Sequence, residues 1–507
     1  MSQEIHSSDL LKESQIVTIP GIQTKLGQES LQRGLTNWSS SAATLDTRAN
    51  NVICLRNYLK KNKDTLESLF AQVQENSEVF EEGPTDQQAQ WKDKTSEQIF
   101  FEKGGFGQFL NQVPGVVAFI VFMKVWLAPA FAIATPFLIL ILPFFMIKYV
   151  YKLPIPWSRY QSMILDMVIG ERTISLQSIS KILYFIFSLS QAIIQPFLTA
   201  IAVNKLDTLV RDRARKLHNS YVAAYEIFEI FKAAGIKTPN LPNDSVDKSY
   251  PAFALDKDER WTTVYLGKIL GDAEVMYCLA KDLRFKKPTW LERTKGSDIL
   301  LDIRDFSDIC IENAKKSSIL FTKKTKHSLL TGPNRGGKSS SLRGILQNVL
   351  WAQTYGLAPS TYKGQLFSWV VSSLRAEDRP GVSSLFEREI EIAVDILRRE
   401  KGSGSGAGLV LIDEIFHSTN PPDGEKTSQI FLSQLWKMKN VVSCVSTHVY
   451  SVVEDAPENI QRICCWAEED EDGGIYYDYR LQGGICKVSS VNDVLYEKGL
   501  LTLPRSK

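Results

Sequence analysis

Thr331-Gly-Pro-Asn-Arg-Gly-Gly-Lys-Ser339 decides the fold of this 507-residue chain. Its last eight residues fit G-x-x-x-x-G-K-[ST]. The apolar run His327-Ser-Leu-Leu-Thr331 in front of it reads as a strand, and the pattern from Lys338 to about Tyr355 is helical. A glycine-rich turn between strand and helix directs backbone N–H groups, and the positive end of the helix, at phosphate oxygens. The spacing therefore predicts a nucleoside-triphosphate site over Gly332, Pro333, Asn334, Gly336, Gly337, Lys338, Ser339 and Ser340. Lys338 is expected to reach the β- and γ-phosphates and Ser339 to bind Mg²⁺.

Two further strands carry chemistry at their C-terminal ends. Leu409-Val-Leu-Ile-Asp413-Glu414 is a continuous apolar run closed by two acids, the pattern of a buried parallel strand that delivers carboxylates to a ligand crevice. Asp413 is placed to support Mg²⁺ through its water shell. Glu414 is placed to polarise the water that attacks the γ-phosphate, with Lys338 and His448 as its catalytic companions. Val441-Val-Ser-Cys-Val-Ser446 is the third such strand, and Thr447-His448 follow it, where His448 is positioned to sense the γ-phosphate. The fold class expected is an α/β P-loop NTPase of ABC-like type on a parallel sheet.

These residues resemble the ATPase domain of the MutS mismatch-repair family. The family's T-G-P-N-x-G-G-K-S stands here as Thr331 to Ser339. Its D-E-I-x-x-x-T-x-x-x-D-G stands as Asp413-Glu-Ile-Phe-His-Ser-Thr419-Asn-Pro-Pro-Asp423-Gly424, and its T-H as Thr447-His448. Asp378-Arg-Pro-Gly-Val-Ser383-Ser384-Leu-Phe looks like the G-x-S-T-F segment, and Tyr479-Arg-Leu-Gln-Gly483-Gly484 to Gly499-Leu500 like the closing element. The resemblance implies an ATPase using ATP and Mg²⁺ and working as a dimer, most simply a homodimer, with two composite sites. Ser383 and Thr419 would make the subunit contact. It also implies DNA as partner, in mismatch repair or recombination. A transporter-type ABC ATPase is the competing class, but its L-S-G-G-Q helix start has no room here. The comparable text, Gly402 to Gly408, abuts the acidic strand and reads as a surface loop.

Departures from the family pattern are Arg335, where an apolar residue is usual, and Phe416-His417-Ser418 after the acidic pair. Both bear on nucleotide affinity and the subunit contact, and the expected hydrolysis is slow. The family's F-x-E mismatch wedge has no counterpart, since Phe80-Glu81 and Phe101-Glu102 lack its spacing.

A net charge of +2 confines any nucleic-acid contact to local clusters. The candidates are Arg211, Arg213, Arg215 and Lys216, and Lys315, Lys316, Lys323, Lys324 and Lys326, each also readable as a solvated face. Seven cysteines without a C-x-x-C pair point to reduced, mostly buried thiols in an intracellular compartment. Glu468 to Gly474 reads as a solvated hairpin loop.

The middle of the chain is apolar. Val125 to Ile147 and Ile182 to Asn204 each run 23 positions without a charge, and a bilayer core needs about 20. Trp126, Tyr149, Tyr151 and Trp157 flank the first run as interfacial aromatics do. Two readings stand: a membrane hairpin that leaves the ATPase domain on the cytoplasmic or nuclear side, and the helical core of a large domain broken by Pro129, Pro136, Pro143 and Pro196. From Leu206, the spacing of Val210, Ala214, Leu217, Tyr221, Ala224, Phe228 and Phe231 predicts a long amphipathic helix; Leu55, Leu59, Leu66, Leu69 and Val73 mark its N-terminal counterpart. These helices resemble the MutS lever arms. The chain thus divides into a polar tail over 1–37, lever-like helices over 38–103, the apolar block over 104–205, returning all-α helices over 206–300 and the ATPase domain over 301–507.

Overall fold

The computed structural model describes residues 19, 21–80, 99, 105–113, 115–169, 176–241, 260–291, 298–373, 385–399, 406–469 and 474–500. The chain forms two compact units: Met1–Glu67 with Ile227–Thr238 and Lys268–Lys507, and Ser68–Glu226 with Pro239–Gly267. The helices are α1 (Lys25–Thr36), α2 (Ala42–Glu75), α3 (Gly105–Gln112), α4 (Val116–Phe122), α5 (Ala128–Phe145), α6 (Trp157–Ile169), α7 (Leu176–Ala233) and α8 (Arg260–Lys281). They continue as α9 (Lys338–Tyr355), α10 (Leu385–Arg399), α11 (Pro421–Leu435), α12 (Tyr450–Glu454) and α13 (Val491–Glu497). The strands are β1 (Thr289–Trp290), β2 (Ile299–Phe306), β3 (Ser317–Thr322), β4 (His327–Thr331) and β5 (Thr361–Gly364). The rest are β6 (Trp369–Ser373), β7 (Gly408–Ile412), β8 (Val441–Ser446), β9 (Ile460–Glu469) and β10 (Ile475–Gly483).

The first unit holds a six-stranded sheet in the order β10-β9-β4-β8-β7-β6. Every residue of β4, β7 and β8 is buried, which is why their sequences run apolar without alternation. Five of the strands are parallel, whereas β10 pairs antiparallel with β9. The expectation of a parallel sheet is corrected at that edge, because a short connection can only return the chain antiparallel. A second sheet, β1-β5-β2-β3, is mixed.

Helix α9 touches β2 of one sheet and β7 of the other. Its sides are therefore nearly all buried, and its polar groups need partners inside. Gln353 donates to Phe367 O at 2.8 Å and accepts from Phe367 N–H at 2.8 Å. Gln347 Nε2 donates to Asp308 Oδ1 at 2.9 Å, and Asn348 Nδ2 donates to Gly344 O at 2.8 Å.

The expectation of a loose polar tail as far as residue 37 fails over Lys25–Thr36. Leu31 and Leu35 fall on one helical face and are buried, so a low apolar count still supports a helix. Thr24 caps α1, its Oγ1 accepting from Gly27 N–H at 2.9 Å. Buried Glu274 accepts from Gln23 N–H at 2.7 Å and Thr24 N–H at 3.1 Å, tying the turn to α8. Ser39 N–H donates to Gln353 O at 2.7 Å and Arg48 to Thr354 O, so this segment satisfies carbonyls at the C-terminal end of α9.

In the second unit α4, a π turn Met123–Leu127, α5 and a π turn Met146–Val150 follow without interruption, and Pro136 and Pro143 sit inside α5. Helix α7 is a single 58-residue helix containing Pro196. A small core gathers Ile99, Val117, Val121, Val203, Leu206 and Val210. Phe70, Val73 and Tyr160 are buried as well, but many large apolar side chains are exposed, among them Phe119, Trp126, Phe137, Tyr184 and Phe187. Among the described residues two helical stretches could cross a membrane by length and composition, Val116–Leu138 and Ile182–Ala233. The first begins nine residues before the run starting at Val125 and takes in Lys124.

Burial makes one strand residue a pH sensor of stability. His327 lies in β4 with Nδ1 2.8 Å from Ser443 Oγ. Burial, then the nearby Lys326 charge, pushes its pKa down to about 4. The unfolded chain binds a proton below its ordinary value of about 6.5 that the folded chain refuses. Stability from this group is thus full above that value and falls as pH drops towards 4, by about 3 kcal/mol. His327→Asn is expected to flatten the acid limb, measured as urea midpoints from pH 7 to 4; parallel limbs would contradict the assignment.

Candidate active site

Level strand ends build the site. Leu330 of β4 pairs with Ser446 of β8, and Ile412 of β7 pairs with Val445, so the residues that follow all three strands meet at one edge. Thr447 N–H donates to Leu330 O at 3.1 Å and Ile415 N–H to Ser446 O at 3.2 Å, which extends the alignment past the strands.

The loop after β4 has backbone that its residue types dictate. Gly332 has φ +141°, and a Cβ there would lie 2.8 Å from Cys465 O; Gly337 has φ +99° and is the N-cap of α9. Only glycine meets both demands without strain. Lys338 opens α9 and is buried, its Nζ donating to Gly332 O at 2.9 Å and Pro333 O at 3.1 Å. Burial lowers its pKa, opposed by the Glu414 and Asp413 carboxylates. A cleft of about 460 Å³ is lined by Pro333, Asn334, Gly337, Lys338, Ser339 and Ser340 of the loop, with Glu414 opposite and Tyr479 of β10 beside them. The expected residues from Pro333 to Ser340, together with Glu414, therefore share one cavity, with Gly332 and Gly336 shaping its loop.

Glu414 has φ +52°. Its Oε1 accepts from His448 Nε2 at 3.2 Å, which fixes the imidazole with its proton on Nε2 when neutral. That hydrogen bond, against the cost of burial and with help from the His448 and Lys338 charges, holds the carboxyl below the ordinary carboxylate range. Asp413 is half-buried, its Oδ1 accepting from Ser446 Oγ at 2.6 Å. The same Ser446 Oγ accepts from Glu414 N–H at 2.8 Å.

Ser446 is the residue that sequence reasoning missed. It stood in plain view as the last residue of a strand, but only the register reveals that its hydroxyl joins both acids. Glu389 of α10 was also missed. Its carboxylate lies 3.0 Å from His417 Nδ1 and accepts from Ser418 Oγ at 2.6 Å, while His417 Nδ1 also lies 2.8 Å from Glu414 O. The wall formed by Phe306, Asp308, Ile311 and Lys315 carries no motif. Asp308 is buried there, accepting from Arg343 Nε at 2.8 Å.

Thr419 is half-buried after the acidic pair, and Ser383 lies outside the described residues, as do most of the Gly402 to Gly408 run and the tip of the 468–474 hairpin. Among the described residues no group of three or more His, Cys, Asp or Glu could hold a metal ion. Mg²⁺ needs none, since it takes one or two protein oxygens and the phosphates; Ser339 Oγ and Asp413 are hard oxygen donors of that kind. None of the seven cysteines is in a disulfide; five are buried, and Cys54 and Cys310 are exposed. The basic cluster on α7 is largely spent on acids: Arg211 on Asp207 at 2.9 Å, Arg215 on Asp212 at 2.8 Å and Lys216 on Glu78 at 2.6 Å. The solvated-face reading is the one this geometry favours.

A glycine loop from strand to buried helix, with an acidic strand end beside it, defines a P-loop ATPase-type domain. Residues 328–499 match the family model for MutS domain V. A DNA mismatch repair protein MutS from Leuconostoc citreum is 25% identical over 219 residues, covering 41% of this chain and 24% of that protein. The endonuclease MutS2 from Thermus thermophilus is 30% identical over 186 residues, 36% of this chain and 23% of that protein. A DNA mismatch repair protein MutS from another strain of T. thermophilus is 27% identical over 161 residues, 31% and 19%. The chain spans about a quarter of the length of these relatives or less.

Ser446→Ala deletes the donor to Asp413 and strands the Glu414 N–H. The expected cost is about 1–2 kcal/mol of unfolding free energy, read by denaturant titration, with Ser446→Thr close to wild type; equal losses in both would refute the hydroxyl's role.

Proposed function

We propose that the protein is a MutS-type ATPase in which ATP and Mg²⁺ occupy the cleft between Lys338 and Glu414. The observation that carries this reading is that a buried lysine and a carboxylate, the latter hydrogen-bonded to His448, share one glycine-cradled cavity. Lys338 would exchange the two loop carbonyls for β- and γ-phosphate oxygens, regaining in charge-assisted bonds what burial costs it. The loop residues from Asn334 to Gly337 and the first turn of α9 would supply N–H groups to the same oxygens. Mg²⁺, when bound, would supply positive charge to the phosphates; Ser339 and Asp413 are the residues that would hold it, Asp413 being pre-oriented by Ser446. Glu414 orients the attacking water as general base, and His448 fixes that carboxylate and reads the terminal phosphate.

By the same reading the molecule works as a homodimer with Ser383 and Thr419 at the subunit contact, and DNA is its ligand. The relatives named for DNA mismatch repair favour DNA. A second reading keeps the ATPase and anchors it in a membrane; the exposed apolar faces of α4, α5 and α7 favour it. Alkaline carbonate extraction of the full-length chain separates the two, since a spanning hairpin stays with the lipid pellet. Affinity for duplex, mispaired and branched DNA, with and without ATP, tests the first reading through its fall with salt.

Lys338→Ala is expected to abolish ATP binding, and Glu414→Gln to retain binding while slowing turnover about 100-fold or more. Unchanged turnover in Glu414→Gln would remove it as the base. Because the His448 hydrogen bond holds the Glu414 carboxyl low, His448→Ala should move the acid limb of kcat/KM to higher pH. An unmoved limb would assign it to another group.

A further inference from the structure

The tip of the phosphate loop carries a cation that the reading above leaves unused. Arg335 has φ +65°, a left-handed conformation uncommon for a residue with a Cβ. Its side chain lines the same cleft as Lys338, Ser339 and Glu414, and is 48% exposed. Its guanidinium is not idle, because Nη1 donates to Glu497 Oε2 at the end of α13. Helix α13 is itself held to the sheet edge, Tyr477 Oη of β10 donating to Asp493 Oδ2 at 3.1 Å. Lys498 Nζ lies 3.6 Å from the other Glu497 oxygen.

We infer that Arg335 is a further phosphate-binding residue of the ATP site and that Glu497 is its counter-ion while the site is empty of nucleotide. The inference rests on the nucleotide reading given above. Its physical basis is a comparison of two pairings for one guanidinium. The Arg335–Glu497 pair is exposed on both sides, 48% and 53%, and exposed pairs of single charges are weak. A polyphosphate offers several charges and the fork geometry that a guanidinium matches with two hydrogen bonds. The long flexible stem lets the head swing from Glu497 into the cleft it already borders. Glu497 thus competes with nucleotide for Arg335, and releasing it is a small, fixed cost of binding. Each partner stabilises the charged form of the other, so the pair is ionised across the neutral range.

The test is a double-mutant cycle on the full-length chain, reading equilibrium binding of Mg²⁺ with a fluorescent N-methylanthraniloyl ATP, and with the ADP analogue. Arg335→Gln is expected to weaken the triphosphate about 10-fold, and the diphosphate less. Glu497→Gln is expected to tighten the triphosphate about three-fold, the worth of an exposed pair. The double variant should match Arg335→Gln, because Glu497 acts only through Arg335. A Glu497→Gln gain that persists without Arg335, or single variants that both bind as wild type does, overturns the inference and leaves the nucleotide reading intact. A wild-type chain that binds neither analogue overturns both. Unfolding temperatures within about 2 °C of wild type, as loss of an exposed pair predicts, show that the binding shifts are not failures of folding; Arg335→Lys, which keeps charge but not the fork, is expected to fall between wild type and Arg335→Gln.

Discussion

The site depends on the alignment of three buried strands. The pairing of Leu330 with Ser446 and of Ile412 with Val445 fixes where the chain leaves the sheet three times over. Leaving β4 it must turn into a helix, leaving β7 it presents two acids, and leaving β8 it presents a histidine. One hydroxyl then locks the arrangement, since Ser446 Oγ binds the side chain of Asp413 and the backbone of Glu414 together. A one-residue slip in β8 would turn Ser446 to the other face. Both acids would then lose their common partner.

The loop itself is set by exclusion. At Gly332 the backbone of Cys465 occupies the space a side chain would need, so the glycine is imposed by β9 as much as by any ligand. Helix α9 is held at its far end by Ser39, just before α2, and by Arg48, within α2. Its two ends therefore face a candidate phosphate site and the N-terminal helices.

The parts of this fold legible in sequence are those whose cause is local. A strand buried on both faces runs mainly apolar without alternation, so β4, β7 and β8 could be read directly although His327, Ser328, Ser443 and Ser446 are polar, and the P-loop announces the start of α9. What escaped has its cause at a distance in sequence. Helix α1 is sparse in apolar residues and is stabilised by Glu274, some 250 positions away. Ser446 and Glu389 gain meaning only from neighbours about 30 positions off. The antiparallel pairing of β10 with β9, by contrast, was already implied by the hairpin loop read at Glu468 to Gly474. The apolar block was legible as helix, and its prolines did not break it; Pro136, Pro143 and Pro196 all lie inside continuous helices. Its large apolar side chains are mostly exposed where a closed core would cover them.

The central claim is a triphosphate held between Lys338 and Glu414. The direct test is a structure of the full-length chain with Mg²⁺ and a non-hydrolysable ATP analogue. The account predicts the γ-phosphate within hydrogen-bond distance of Lys338 Nζ, the metal near Ser339 and Asp413, and the Glu414 carboxylate facing the terminal phosphorus across one water. A nucleotide bound elsewhere, or Lys338 still bonded to the carbonyls of Gly332 and Pro333 with the analogue present, would contradict it.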